Sequence, residues 1–165
     1  MEPATADLRD ILRRLRETPK HFTRVSGGRT DEQLRRPPAK DSWSTIEVLA
    51  HTRGAADVQG AWITRILGEE SPTIRYASPR TGMRRTDYVS PEFGEVLRGF
   101  ARQRADLVRT LSALAPSDWL RAAALTGTSP GWTRTVLDVA SGIATHEHAH
   151  FDQITDAAAA GAVGA

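Results

Sequence analysis

Residues 136–153 read VLDVASGIATHEHAHFDQ, and the spacing of their apolar side chains indicates the fold class. Apolar residues and histidines recur there at alternating steps of three and four, which is the period of one buried helix face. The positions on that face are Val136, Val139, Ile143, His146, His150 and Gln153. The pattern predicts a helix over about 133–159, with two histidines on its inward side.

Three further stretches show helical patterns, over about 6–25, 44–67 and 90–114. Pro19 is expected to kink or interrupt the first of them. Ser44 and Glu47 form a capping-box signature at the start of the second. The third opens with Ser90-Pro91-Glu92, in which serine is a good cap and proline suits the first helical position.

No segment shows convincing strand alternation, so the sequence predicts an all-α fold, a four-helix bundle. The connection 68–89 has about 22 residues, far more than a tight turn between neighbouring helices needs. It can therefore cross the length of the bundle, which predicts up-down-down-up order with a long crossover between helices 2 and 3. We expect this crossover to line the site. We also expect a single domain over 1–165, with 157–165 as a frayed tail.

Composition limits the classes of function. The 165 residues are 39% hydrophobic and 25% charged, with a net charge of +2. The basic residues are dispersed, which argues against nucleic-acid binding. No apolar run is long enough to span a membrane and no secretory signal is evident, so a cytoplasmic location is expected. Without cysteine, any metal must be held by nitrogen or oxygen ligands.

The histidines carry the predicted chemistry. His146 and His150 are four apart, so a helix places both rings on one face, where they can bind one ion. His51 is the best third ligand, because it lies on the inward stripe Val48, His51, Ala55, Val58, Trp62 of the second helix. Three imidazoles leave coordination positions open for water or substrate, which is typical of a catalytic site. The competing interpretation is that these are buried histidines bonded to backbone or to acids.

Other residues are assigned supporting or surface positions. Glu47 is a capping residue that could also reach the metal. Gln153 could hydrogen-bond a ligand ring or a bound water. Trp62 could wall a pocket. His148 and His21 are expected on the surface.

Two segments together resemble the DinB-like superfamily. They are Trp43-Ser44-Thr45-Ile46-Glu47-Val48-Leu49-Ala50-His51 and His146-Glu147-His148-Ala149-His150-Phe151-Asp152-Gln153-Ile154. The order of one early histidine and a later pair also fits, and the resemblance covers nearly the whole chain. It implies an up-down-down-up bundle, often dimeric, that binds zinc, nickel or a similar ion through His51, His146 and His150. One departure is Ala149, which stands where family members often have a second histidine.

The resemblance implies an enzyme that acts on a small molecule through a metal-bound thiolate or water. It would be either an S-transferase with a low-molecular-weight thiol as cosubstrate or a hydrolase, and the sequence does not choose between them. No side chain is itself assigned as the catalytic group. A homodimer is implied in the same way. The alternatives are a non-catalytic metal- or ligand-binding stress-response bundle and a structural domain without metal.

Overall fold

The computed structural model describes residues 5–77, 86–127 and 131–162 of the chain. Its helices are α1 (Thr5–Ser26), α2 (Asp31–Arg35), α3 (Thr45–Gly68), α4 (Phe93–Ser112), α5 (Val136–Ala149) and α6 (Phe151–Ala162), with a 3₁₀ turn at Asp118–Leu120. Its strands are β1 (Thr73–Arg75), β2 (Ala122–Thr126) and β3 (Trp132–Thr135). The mostly helical fold predicted from the sequence is confirmed. No helix within these ranges has the length and apolarity that crossing a membrane requires.

The small sheet is a feature that the sequence did not predict. β2 lies between the other two strands, parallel to β1 and antiparallel to β3. Ile74 and Leu125 are paired in register and both are buried in the core. The strands have only three to five residues, and β2 reads AAALT, so neither alternation nor β-branched residues could reveal it. The prediction of an all-α chain is wrong for these residues.

The core consists of two clusters of buried apolar side chains. One joins α1, α3, α4, α5 and the sheet, and the other joins α1, α2, α3, α4 and α6. In the second cluster, Phe22 and Phe100 meet edge to face with ring centroids 6.0 Å apart, and Ile154 is fully buried beside them. The site described below lies in the region where α3 meets α5 and α6.

Polar contacts join α3 to α4 at successive levels. Arg53 Nη1 donates to the Val96 carbonyl at 3.2 Å, and Gln103 Nε2 donates to Asp57. Asp57 also accepts a hydrogen bond of 2.7 Å from the Tyr88 hydroxyl, which precedes α4. Residues later in α3 thus meet residues later in α4.

Two helix starts and two helix interruptions differ from the predictions. α1 continues through Pro19 without a break. α4 begins at Phe93, because Asp31 of α2 accepts the Phe93 amide at 2.7 Å and takes over the cap predicted for Ser90. The predicted helix 133–159 is two helices, α5 and α6, that meet at His150. The residues just before α5 form β3, and Thr135 caps α5 with Asp138.

The C-terminal residues correct the expectation of a frayed tail. Residues 157–162 complete α6, and Ala157, Ala158 and Gly161 are buried. Arg29 Nε donates to the Ala158 carbonyl at 2.7 Å. Small side chains allow this helix end to approach α2 closely. The alanine-rich segment that was expected to fray is therefore a packing surface. Residues 163–165 lie outside the described part.

Candidate metal centre

Three histidine side chains converge between α3 and the α5–α6 junction. His51 Nε2 lies 3.0 Å from His146 Nε2, which lies 3.3 Å from His150 Nε2. The ring centroids are 4.8–5.0 Å apart in all three pairs. Among the described residues, this is the group of histidines and carboxylates whose ligand atoms come close enough to hold one metal ion. The structure therefore brings together the three histidines that the sequence singled out.

The donor set fits a divalent cation. Imidazole nitrogens bonded to one metal at about 2.0–2.1 Å lie roughly 2.9–3.4 Å from one another, depending on the coordination geometry. The two distances from His146 Nε2 fall in that interval, and all three ligand atoms lie within 4.8 Å of one another. His146 Nε2 faces two ring nitrogens. The neutral imidazole of His146 has only one proton, so it can donate to at most one of them. A shared cation would satisfy all three nitrogens at once.

Local structure sets the direction of each ring. His51 lies in the second turn of α3, which Ser44 and Glu47 cap. His150 is the C-cap of α5, with φ −90° and ψ 0°, and its carbonyl accepts the Ile154 amide of α6 at 2.9 Å. The chain thus turns at His150 while keeping its ring beside His146. Trp43 packs beside the group, with its ring centroid 5.0 Å from that of His51.

Glu47 and Gln153, the two polar neighbours predicted for the site, have different positions. Glu47 Oε2 accepts hydrogen bonds from the Ser44 amide at 2.8 Å and the Ser44 hydroxyl at 2.6 Å, so it acts as the helix cap. Gln153 Oε1 lies 2.7 Å from His150 Nδ1. An amide oxygen only accepts, so Nδ1 carries the proton and His150 Nε2 presents its lone pair.

The other two histidines lie outside the group. His148 is exposed, as expected, and its ring packs on Phe151 at 4.6 Å between centroids. His21 is only partly exposed, because it stacks on Phe151 at 4.2 Å and its Nε2 lies 3.2 Å from the Phe151 carbonyl. His21 is thus at the surface, as expected, but with one side of its ring covered by Phe151.

Burial affects the protonation of the site. The pKa of His146 is lowered, first by loss of solvent and then by the neighbouring His150. A lowered pKa keeps the imidazole neutral at physiological pH, and neutral imidazole is the form that binds a metal.

A cavity of about 590 Å³ opens beside His146. Its lining includes Gln59, Trp62, Tyr76, Trp132, Arg134 and His146. Trp62 therefore walls a pocket, as the sequence suggested. Tyr76 and Ala77 belong to the connection 68–89, so the described part of that connection lines the site, while residues 78–85 lie outside the described part. A second cleft, on the His150 side, is lined by Trp43 and Gln153.

A buried ion pair that the sequence did not predict involves Glu147, the residue that follows His146 in α5. Glu147 of α5 accepts a hydrogen bond from Arg104 of α4, and both side chains are about 1% exposed. Burial raises the pKa of Glu147 to about 7 against the opposing effect of Arg104. A signal was present, because Arg104 interrupts the apolar stripe that includes Phe100 and Leu111 and so occupies an inward position.

Comparison with known proteins agrees with this architecture. The model of the DinB superfamily matches residues 12–154. Among solved structures, the chain is similar to YfiT from Bacillus subtilis, a probable metal-dependent hydrolase with an unusual four-helix bundle topology. The TM-score is 0.78 at 18% identity, over 94% of this chain and 87% of that one. No curated protein matches the sequence significantly.

Proposed function

The chain belongs to the DinB superfamily, and from this premise we propose that it is a metal-dependent hydrolase with one divalent cation on His51, His146 and His150. The observation that carries the proposal is the convergence of three Nε2 atoms beside a cavity. No carboxylate joins this group among the described residues, so coordination positions remain for water and substrate.

The protein's own residues prepare the site in three ways. Gln153 holds the Nδ1 proton of His150, which fixes the ring and its tautomer. Loss of solvent keeps His146 neutral. Trp62 and Tyr76 form an apolar wall of the cavity. A bound divalent ion would supply Lewis acidity, which activates a water for attack on an ester, amide or similar bond.

Zinc or nickel is the ion we propose, because both accept imidazole ligands and the chain contains no thiolate that would select a softer metal. The same open positions would also accept a low-molecular-weight thiol. Thiol transfer is therefore the alternative function, and the two differ in their requirement for that cosubstrate.

We also propose the up-down-down-up order for the four long helices, with α5 and α6 together as the fourth. The support for this order comes from α3 and α4. Arg53 contacts Val96, and Asp57, further along α3, contacts Gln103, further along α4, as expected for two parallel helices. The contact of His21 with Phe151 is consistent with α1 lying alongside the α5–α6 pair. The homodimer implied by the resemblance and the cytoplasmic location remain predictions.

The direct test is elemental analysis of the purified protein beside two histidine variants. We expect about one divalent ion per chain in the wild type and in His148→Ala, whose ring lies outside the triad. We expect His51→Ala to lose most of the metal. The wild type should then hydrolyse members of an ester and amide panel without added thiol, and turnover only with a thiol would indicate the transferase. Equal metal content in His51→Ala and His148→Ala would refute the site.

A further inference from the structure

We propose that the cavity beside His146 is a groove for an elongated small anion, with aromatic side chains binding its flat apolar part and Arg134 binding its charged end. The proposal deepens the proposed function by naming the substrate class, and it rests on that function only for the reaction at the His146 end.

The groove follows one face of α5. The residues of α5 that line it are Asp138, Val139, Ser141, Gly142, Thr145 and His146, which recur at helical spacing. His146 is eight positions after Asp138, so this face extends about 12 Å at 1.5 Å per residue. Arg134 lies in the strand that leads into the start of α5, whereas His146 lies near the end of this helix. A ligand that contacts both ends must therefore be elongated.

Three aromatic rings form the apolar wall. Trp62 and Tyr76 have ring centroids 5.8 Å apart, and Tyr76 meets Trp132 edge to face at 6.2 Å. Trp132 is 42% exposed, which makes it one of the few large apolar side chains on the surface of the described residues. Exposed aromatic surface that lines a cavity is typical of a ligand site, because a flat ligand would remove it from water.

Among the described residues that line this groove, Arg134 is the one lysine or arginine. It is partly buried, and its guanidinium lies over the Trp132 ring at 5.1 Å. No ion pair or hydrogen bond joins its side chain to any described residue. The acid in the same lining, Asp138, uses Oδ2 to cap Thr135. An arginine held against an aromatic ring, with no partner for its donors among the described residues, is suited to a carboxylate, phosphate or sulfonate.

These features define the ligand class by its chemistry. We infer a molecule with an aromatic or planar apolar body and an anionic group about 12 Å from the bond that reacts. An aryl carboxylate, sulfonate or phosphate with an ester or amide bond at its far end fits this description. All three of these groups are anions that a guanidinium can bind, and a sulfonate can serve as the probe.

Gly142 allows the groove to be blocked without disturbing the fold. A Cβ at this position would meet no atom within 4 Å, and the residue lies on the groove floor. Gly142→Leu should therefore fill the groove and, as a better helix former, keep α5 stable. Gly60→Leu is the matched control, because its Cβ also meets no atom within 4 Å and Gly60 does not line this groove.

The experiment measures fluorescence titrations with two probes, 8-anilino-1-naphthalenesulfonate and N-phenyl-1-naphthylamine, which lacks the sulfonate. We expect Arg134→Gln to weaken sulfonate binding about tenfold, as loss of a charged hydrogen bond does, and to change binding of the neutral probe less than about twofold. Gly142→Leu should weaken both probes more than about tenfold, and Gly60→Leu neither. Unchanged sulfonate binding in Arg134→Gln, or equal losses in both glycine variants, would overturn the proposal.

Metal analysis of the same samples separates this inference from the proposed function. Groove binding that follows the expected pattern in a protein without metal would support the groove and refute the hydrolase. A metal-loaded protein whose probe binding ignores Arg134 and Gly142 would keep the metal centre and refute the groove.

Discussion

His150 owes its orientation to the hydrogen bond on the far side of its ring. Its Nδ1–H donates to Gln153 Oε1 at 2.7 Å, which leaves the Nε2 lone pair directed at the same point as His146 Nε2. A ligand ring fixed in this way loses less conformational freedom when a metal binds. The outer partner of such a histidine also raises its basicity.

Replacing Gln153 by leucine should weaken metal binding about tenfold, because the ring of His150 loses both its orientation and its fixed tautomer. Gln153→Glu, which keeps an acceptor at the same place, should bind the metal at least as tightly as the wild type. Competition with a chromogenic chelator measures both affinities. A Gln153→Leu protein with wild-type affinity would show that this contact does not position the ring.

At the scale of single residues, the sequence predicted those site residues that recur at helical spacing. The steps of three and four along two stretches predicted that His51, His146, His150 and Gln153 lie on inward helix faces. Arg104 was missed, although it lies on an apolar stripe, because arginine on a helix is usually solvated. Only its partner Glu147, on another helix, explains its burial, and no pattern within one helix identifies a partner on another.

At the scale of elements, helices were predictable and their ends were less so. Helical periodicity extends over many turns, whereas a strand of three residues offers at most two alternations. The start of α4 depends on Asp31, a residue 62 positions earlier, so the local Ser90-Pro91 signal was overridden by a tertiary contact. The break at His150 could not be predicted, because no proline or glycine stands at this position.

Gly161 tests whether the end of α6 is packed. A Cβ there would collide with the carbonyl oxygen of Gln33 in α2. We expect Gly161→Ala to destabilise the protein by about 1–3 kcal/mol, because the two backbones must separate. Gly60→Ala, where a Cβ meets nothing within 4 Å, should instead stabilise it by up to about 1 kcal/mol. Urea unfolding measures both changes, and a stabilising Gly161→Ala would mean that the helix end is loose.

On the scale of the whole molecule, α2 joins parts of the chain that are far apart in sequence. Asp31 caps α4, and Arg35 donates to the carbonyl of Pro91 at 2.6 Å in the segment that leads into α4. Leu34 is buried in the cluster that contains Phe22 and Ile154. A five-residue helix would not be stable alone, so it depends on these contacts and in turn connects α4 to α6.

Asp31 should therefore make the stability of the whole fold depend on pH in the acid range. Its pKa is lowered below the ordinary value of 3.8, first by the hydrogen bond from the Phe93 amide and also by Arg35. A carboxylate with a lowered pKa in the folded state contributes stability that is present above the unfolded pKa and is lost as the pH falls through the folded value. The contribution should thus be complete at pH 6 and decline below about pH 4.

Asp31→Asn separates the charge from the cap, because its amide oxygen can still accept from Phe93. At pH 6 we expect Asp31→Ala to lose about 1 kcal/mol in free energy of unfolding, as other lost caps do, and Asp31→Asn to lose less. The difference between wild type and Asp31→Asn should shrink as the pH falls from about 5 to 2. Glu32→Gln is the neighbouring control, because the Glu32 side chain is 85% exposed and its ion pair with Arg36 should contribute little. Urea titrations across this range measure the differences, and a constant gap between wild type and Asp31→Asn would show that the charge of Asp31 does not connect α2 to α4.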